Sequence, residues 1–566
     1  MTPNDSATPS PNKRKPSIEQ PWRQYYSQDD IDAPLPTTTI YELLVENNHS
    51  HPEDTALLYL DTNITYGELL ESIDQCARAM SGAGIKRDDI VTVALPSIPE
   101  TIIAFYAINR IGAVAHMEHP FFNTKNLCKT LNDTGCRMLV MLADNIADAG
   151  TILDSSPVET IVTASPLPLP TPANATNHGK AVIPWKDFIR QGSHVTLPPP
   201  MRASHDYALI SHTGGTTGTQ KDVVCTNLNI QAEIFQGLAG IKYQRQECIM
   251  ATLPPFINYS LVSTMLRHLS HGLKVVLIPH YQPEKFVEYV QRYQVNHILT
   301  IPAYWKAILH IPDIEKANLS SLKFLASGGE HLDLNTEEEV SRLLKHCGAK
   351  GGLIKGTGMT EMTCATTYSL PWRNPPGSVG SPLVKTNCKV VDVNNGEELT
   401  YNQEGEVCFA GPTMMAGYYH NPEATKQIIH TDSDGTRWLH TGDLGFLTEE
   451  GILFITGRMK RLILTRDSNG MVTKVFPHRI EQIILALPMV EDCCVVGVDD
   501  QQHITHPRAF VQPKPEADAS QVKADVIQAC HNNLPAYMVP KDVIVISEMP
   551  RTERGKTDYR ALEQFK

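Results

Sequence analysis

Between residues 65 and 142 short apolar runs alternate with stretches of helical period, and no other feature of the sequence constrains the fold as strongly. Thr65 and Glu68 have the spacing of a capping box, and Leu69, Ile73, Cys76 and Met80 follow at helical intervals. Residues 90–95 form an apolar run without alternation, which predicts a strand covered on both faces and ended by Pro96. Residues 100–111 read as a helix closed by Gly112, and residues 138–142 as the next strand. Strand, helix, strand at this spacing predicts a parallel sheet, because a parallel connection needs room for a crossover helix. The alternation resumes from Tyr207, with strands expected at 274–278 and 297–300 around a helix at 283–293. Beyond about residue 375, Gly/Pro turns crowd together and a β-rich subdomain is expected. A final unit begins near Gly457. Residues 1–35 are polar and Pro-rich, and are expected to form a flexible arm.

Composition excludes several classes. The 566 residues carry a net charge of −13, so a broadly basic surface for nucleic acid or anionic lipid is not expected. A polyanionic substrate would be held by local donors against that mean field. Twelve cysteines without a C-x-x-C are expected to be reduced and packed. His268 and His271 stand three apart with no third ligand nearby in sequence, and read as core or surface residues. No run approaches the roughly 18 apolar residues of a membrane span, and the N-terminus lacks the apolar segment of a signal peptide. The expectation is a cytoplasmic protein.

The most informative segment runs from Tyr207 to Lys221. An apolar strand enters a loop of small and hydroxyl residues, Thr213, Gly214, Gly215, Thr216, Thr217 and Gly218, ended by Lys221. Glycines let backbone N–H groups approach an anion, hydroxyls add donors, and the lysine adds a point charge. This is not a Walker A loop. Gly555-Lys556-Thr557 has the Walker ending, but Pro550 stands where the first glycine is needed.

The segment resembles the T-S-G-T-T-G-x-P-K-G loop of the acyl-adenylate-forming superfamily, and further likenesses follow in that family's order. Thr357-Gly358-Met359-Thr360-Glu361 resembles Y-G-x-T-E, Thr441-Gly442-Asp443 matches T-G-D, and Gly457-Arg458-Met459-Lys460 resembles the interdomain G-R-x-K. The segment Gly411 to Tyr418 and the segment Pro550 to Lys556 resemble two more of its motifs. The resemblance implies an α/β large domain over 36–456 and a small, mobile α+β cap over 457–566, hinged near Lys460. It implies an acid–thiol ligase of the acyl-CoA synthetase type, using ATP, Mg²⁺ and CoA. In those terms Thr213 to Gly218 and Lys221 hold the β,γ-phosphates, Thr360 meets the α-phosphate, and Glu361 binds Mg²⁺. Asp443 and Arg458 take the ribose. Gly329, Glu330, Thr357 and Gly358 belong to the adenine and acyl floor. Lys556 bridges substrate carboxylate and α-phosphate.

The chain departs from the family at several places. Thr357 replaces an aromatic residue, Gly214 a serine, and Asp222 the glycine after the loop lysine. A carboxylate 5–6 Å from Lys221 would oppose its action by roughly 3 kcal/mol at an effective dielectric of about 20, so Asp222 is expected to point away. The link from Leu464 to Lys474 is longer than in relatives, with a turn expected at Asp467-Ser468-Asn469-Gly470. Two alternatives accompany the ligase reading. One is an adenylating enzyme that loads a separate carrier protein. The other is a catalytically silent nucleotide- or acyl-binding relative.

Overall fold

The computed structural model describes residues 14–166, 175–177, 180–197, 199, 203–213, 221–466, 472–499, 505–551 and 557–565. Two nine-stranded sheets dominate them. In the first, the strands Thr55–Tyr59, Lys274–Leu277, Cys248–Ala251, His297–Thr300, Phe324–Ser327 and Leu353–Gly358 run parallel to one another. In the second, Tyr207–His212, Val114–Met117, Ile90–Ala94, Met138–Leu142, Thr160–Ala164 and Lys180–Pro184 do the same. The strand Ile90–Ala94 is buried along its whole length, as an unalternating run requires.

One core joins the two sheets. Val91, Val93 and Leu209 of the second sheet share it with Ile249, Val275 and Ile354 of the first. Ile102, Phe105 and Ile230, from the helices Pro99–Arg110 and Asn227–Leu238, belong to the same cluster. The helix Tyr66–Gly82 begins at the expected capping box. Thr65 Oγ1 accepts from the Glu68 N–H at 3.2 Å, and Glu68 Oε2 accepts from the Thr65 N–H at 2.8 Å. A smaller antiparallel sheet of Asn387–Val391, Gly405–Ala410, Arg437–Leu447, Ile429–Thr431 and Leu453–Arg458 forms the expected β-rich subdomain. All twelve cysteines are free and buried.

After Arg458 the chain passes through a 3₁₀ turn, Met459–Arg461, that carries Lys460. The long link is a hairpin. Ile463–Arg466 pairs antiparallel with Val472–Val475 in the register Ile463↔Val475 and Arg466↔Val472. The turn expected at Asp467 to Gly470 lies outside the described residues. The unit that follows is a three-stranded sheet, Val490–Asp499, Thr505–Pro513 and Asp542–Val545, covered by the helices Pro477–Leu485 and Ala519–Asn533.

The flexible-arm expectation for 1–35 fails over its described part. Residues 14–35 pack on the β-rich subdomain and on the adjoining edge of the first large sheet, with Trp22 and Tyr26 buried. Trp22 Nε1 donates to the Thr386 carbonyl at 3.1 Å, Tyr26 Oη to the Pro382 carbonyl at 3.0 Å, and Ser17 Oγ to Glu398 at 2.8 Å. Mean polarity misleads here because two aromatic side chains supply the apolar area that docks the segment.

Candidate active site

The strand Tyr207–His212 ends where the Gly/Thr loop begins, and Asp222–Thr226 returns beside it. The loop is closed at its base. The Thr213 N–H donates to the Lys221 carbonyl at 3.0 Å, and the Lys221 N–H donates to Thr213 Oγ1 at 3.2 Å. Gly214, Gly215, Thr216, Thr217 and Gly218 lie outside the described residues. Asp222 points away from Lys221, as charge opposition requires. Its Oδ1 accepts from Nδ1 of buried His212 at 2.8 Å. His212 also meets Glu118 at 3.0 Å, and the two carboxylates outweigh burial to push its pKa up to about 9.

Strand pairing carries a second segment to this lysine. Gly417–Tyr418 pairs with Asp222–Thr226 in the register Val223↔Tyr418. The Lys221 ammonium lies 4.7 Å from the centre of the Tyr418 ring. Tyr418 Oη donates to Glu361 Oε1 at 2.7 Å. Burial, with the Glu361 carboxylate beside it, pushes the Tyr418 hydroxyl well up, so it stays a donor. Glu361 and Thr360 belong to the 3₁₀ turn Thr360–Met362, and the Glu361 carbonyl accepts from the Met415 N–H at 2.9 Å. Thr363 closes that turn at φ +63°, a conformation costly for a β-branched residue. It is held there by Asn258 Nδ2, which donates to its carbonyl at 2.7 Å, and by its own hydroxyl on the Thr413 carbonyl at 2.7 Å. Gly358 is required just upstream, because a Cβ there would strike the Cys364 carbonyl.

The loop at the end of Phe324–Ser327 faces the same region. The position of a Cβ on Gly328 lies 3.4 Å from Tyr259 Oη and 3.5 Å from the Gly356 carbonyl, and Gly329 takes φ +82°. Glu330 and His331 follow, and the ring of His331 stands 4.3 Å from that of His478 in the cap. Thr357 is tied into its strand, its N–H donating to Thr367 Oγ1 at 3.2 Å.

Asp443 and Arg458 face each other across Arg437–Leu447 and Leu453–Arg458, with Arg458 Nε 2.6 Å from Asp443 Oδ1. Gly442, before Asp443, adopts φ +70°. Glu406, which the sequence does not single out, sets this turn. Its Oε1 accepts from the Gly442 N–H at 3.0 Å and its Oε2 from His440 Nδ1 at 2.8 Å. Burial alone would raise its pKa, but His440 holds the carboxylate below its ordinary value. Lys556 lies outside the described residues. The chain on either side of it is joined by a bridge between Arg551 and Thr557, and Arg551 Nη2 lies 2.5 Å from Asp492 Oδ2.

The AMP-binding enzyme family matches residues 44–419, and the AMP-binding enzyme C-terminal domain matches residues 479–556. The long-chain-fatty-acid–CoA ligase of Bacillus subtilis (strain 168) is 26% identical over 563 residues, which cover 96% of this chain and 98% of that one. 4-Coumarate–CoA ligase 4 of Arabidopsis thaliana is 28% identical over 511 residues, 87% of this chain and 84% of that one. Among solved structures, the anthranilate CoA ligase AuaEII in complex with anthranoyl-AMP superposes with a TM-score of 0.81 at 22% identity, over 93% of this chain and 97% of that one. ATP-bound MatB from Rhodopseudomonas palustris also gives 0.81 at 22%, over 93% and 98%. Two mostly parallel sheets with antiparallel edges, a β-rich subdomain and a small C-terminal unit are thus the fold of adenylate-forming enzymes. The chain belongs to the AMP-binding enzyme family, and within it to the ligases.

Proposed function

We propose that this ligase joins a carboxylic acid to a thiol, that of CoA, through an acyl-adenylate made from ATP. A carboxylate is a poor acceptor for a thiol because oxide would have to leave. Attack by a carboxylate oxygen on the α-phosphorus expels pyrophosphate and gives a mixed anhydride. The thiol then attacks the acyl carbon, and AMP departs with the former carboxylate oxygen.

The observation that carries this reading is the set Lys221, Tyr418 and Glu361, a cation and a carboxylate joined by one phenol at the mouth of the Gly/Thr loop. Lys221 with Thr213 to Gly218 takes the β,γ-phosphates. Glu361 presents the hard carboxylate oxygen that suits Mg²⁺, whose charge, when bound, is shared among phosphate oxygens. Tyr418 keeps Glu361 oriented. Thr360, at the start of the same turn, meets the α-phosphate.

Asp443 accepts from the ribose hydroxyls. Its pair with Arg458 is no obstacle, since Arg458 is 60% exposed and such pairs contribute only about 0–1 kcal/mol. Gly329, Glu330, Thr357 and Gly358 line the adenine and acyl side. Lys556, on the cap, stabilises charge that develops between carboxylate and α-phosphate. A cytoplasmic setting, where thiols stay reduced, suits twelve free cysteines.

The test is pyrophosphate release from ATP across fatty, aryl and dicarboxylic acids, with and without CoA. Release that depends on one class of acid, with AMP formed only when CoA is present, is expected. Acid-dependent release with no CoA-dependent AMP would assign the acyl group to a carrier protein instead. No release with any acid would leave a silent nucleotide binder.

A further inference from the structure

The root of the Gly/Thr loop holds a cluster that the adenylation reading does not use. His116, Glu118 and His212 come from the adjacent strands Val114–Met117 and Tyr207–His212 and the residue just past the first. Their three ligand atoms all lie within 4.8 Å of one another. His116 and His212 are buried, and their rings meet edge-on at 5.0 Å.

Hydrogen bonding sets which atoms face inward. Cys136 Sγ donates to the Met138 carbonyl at 3.1 Å, and Thr92 Oγ1 donates to Cys136 Sγ at 3.1 Å. With its proton so used, Thr92 accepts from His116 Nδ1 at 2.9 Å. Nε2 of His116 is therefore a lone pair. Asp222 can only accept, so Nδ1 of His212 carries a proton and its Nε2 is the second inward nitrogen. Glu118 Oε1 accepts from the His119 N–H at 2.7 Å, which leaves Oε2 facing His212 Nε2 at 3.0 Å.

We infer that His116 Nε2, His212 Nε2 and Glu118 Oε2 bind a divalent transition-metal ion of the zinc type. The two nitrogens are 3.2 Å apart. Zn–N bonds of about 2.05 Å at a tetrahedral angle would place two imidazole nitrogens about 3.3 Å apart, so the rings need almost no movement. Two imidazoles and a carboxylate suit zinc, with a small oxygen ligand such as water completing the set. Both imidazoles already have the outer partner that metal-bound histidines use, Thr92 on one and Asp222 on the other. In the ion's absence a proton on His212 Nε2 fills the same place.

The other compact cluster among the described residues, Glu406, Cys408 and His440, is a poorer candidate. It offers a single imidazole, and burial disfavours the thiolate that a metal needs. An ion at the first cluster would anchor both ends of the loop, because His212 precedes Thr213 and Asp222 follows Lys221. Its role there is structural, and separate from the cation at Glu361.

The test uses the full-length chain, stripped with a chelator and titrated with Zn²⁺ alone while excess Mg²⁺ occupies hard oxygen sites. One tight equivalent per chain is expected, with a melting temperature that rises with free zinc. His116→Gln and Glu118→Gln should abolish that equivalent, and Asp222→Asn should weaken it by about 10- to 100-fold. Should the variants not fold, Co²⁺ on the wild-type chain decides. Intense visible bands of a four-coordinate ion without thiolate charge transfer are expected. The inference is overturned by the absence of a tight equivalent, by a six-coordinate or thiolate-type cobalt spectrum, or by tight binding that survives in folded His116→Gln and Glu118→Gln.

Discussion

Tyr418 links the two charged groups of the site, and its hydroxyl on Glu361 is a hydrogen bond to an ionised acceptor. Removing such a bond costs about 1.5–3 kcal/mol, so Tyr418→Phe should lower kcat/KM for ATP in pyrophosphate release by roughly 10- to 100-fold. The melting temperature should change little, because the ring that packs over Lys221 remains. A variant within twofold of wild type would remove Tyr418 from the site. Lys221, Glu361, Asp443 and Arg458, the residues of the proposed site, stand out in the sequence because each sits inside a short, ordered motif. Tyr418 lies in such a motif too, but its place beside Lys221 follows from the pairing Val223↔Tyr418 across nearly two hundred residues. Glu406 carries no local signal at all, being one glutamate among many until Gly405–Ala410 pairs beside the T-G-D turn. The histidine–glutamate cluster is hidden for the same reason, since His116 and His212 meet only when their strands become neighbours.

At the scale of elements, strands and helices followed the pattern of apolar residues closely. The capping box at Thr65, the strand Met138–Leu142 and the strand His297–Thr300 stand where the periodicity puts them. Over residues 283–293 a short 3₁₀ turn, Pro283–Lys285, precedes the helix Phe286–Tyr293. Periodicity cannot separate the two, because both place every third or fourth residue inward. The N-terminal segment shows the opposite limit. Its helices are short and polar, and what orders them is a pocket on a sheet more than 350 residues away, occupied by Trp22. Trp22→Ala should destabilise the large domain by about 3–5 kcal/mol, measured as a loss of denaturant midpoint. An unchanged midpoint would mean the segment is not docked in solution.

For the whole molecule the decisive relation is that of cap to large domain. Arg479 Nη2 lies 2.6 Å from Glu404 Oε2, Lys306 Nζ lies 3.4 Å from the Glu491 carbonyl, and His478 meets His331. These contacts are polar, as are Asn335 Nδ2 on the Leu485 carbonyl and Lys474 Nζ on Asn394. His478 is buried in the interface, and burial, with His331 beside it, lowers its pKa to about 4. Glu481 raises that pKa in part, and Arg461 and Arg479 lower it further. On an undocked cap His478 loses His331 and the burial that the large domain supplies, while Glu481, Arg461 and Arg479 stay with it, so its pKa rises toward its ordinary value and the undocked form binds more protons. Docking strength should therefore fall as pH drops from about 6.5 toward 4, by at most about 3 kcal/mol. Small-angle scattering at pH 7.5 and near pH 4.5 should show the particle extending on acidification, with proteolysis near Lys460 accelerating. A scattering profile constant over that range would show that the histidine does not control docking.

The central claim is that a carboxylate oxygen attacks the α-phosphorus of ATP. Turnover of an acid labelled with ¹⁸O in both carboxylate positions, with CoA present, tests it most directly by mass spectrometry of the products. The account predicts AMP carrying one labelled oxygen, pyrophosphate carrying none, and a thioester retaining the other. Label in a phosphate released with ADP, or AMP without label, would contradict it.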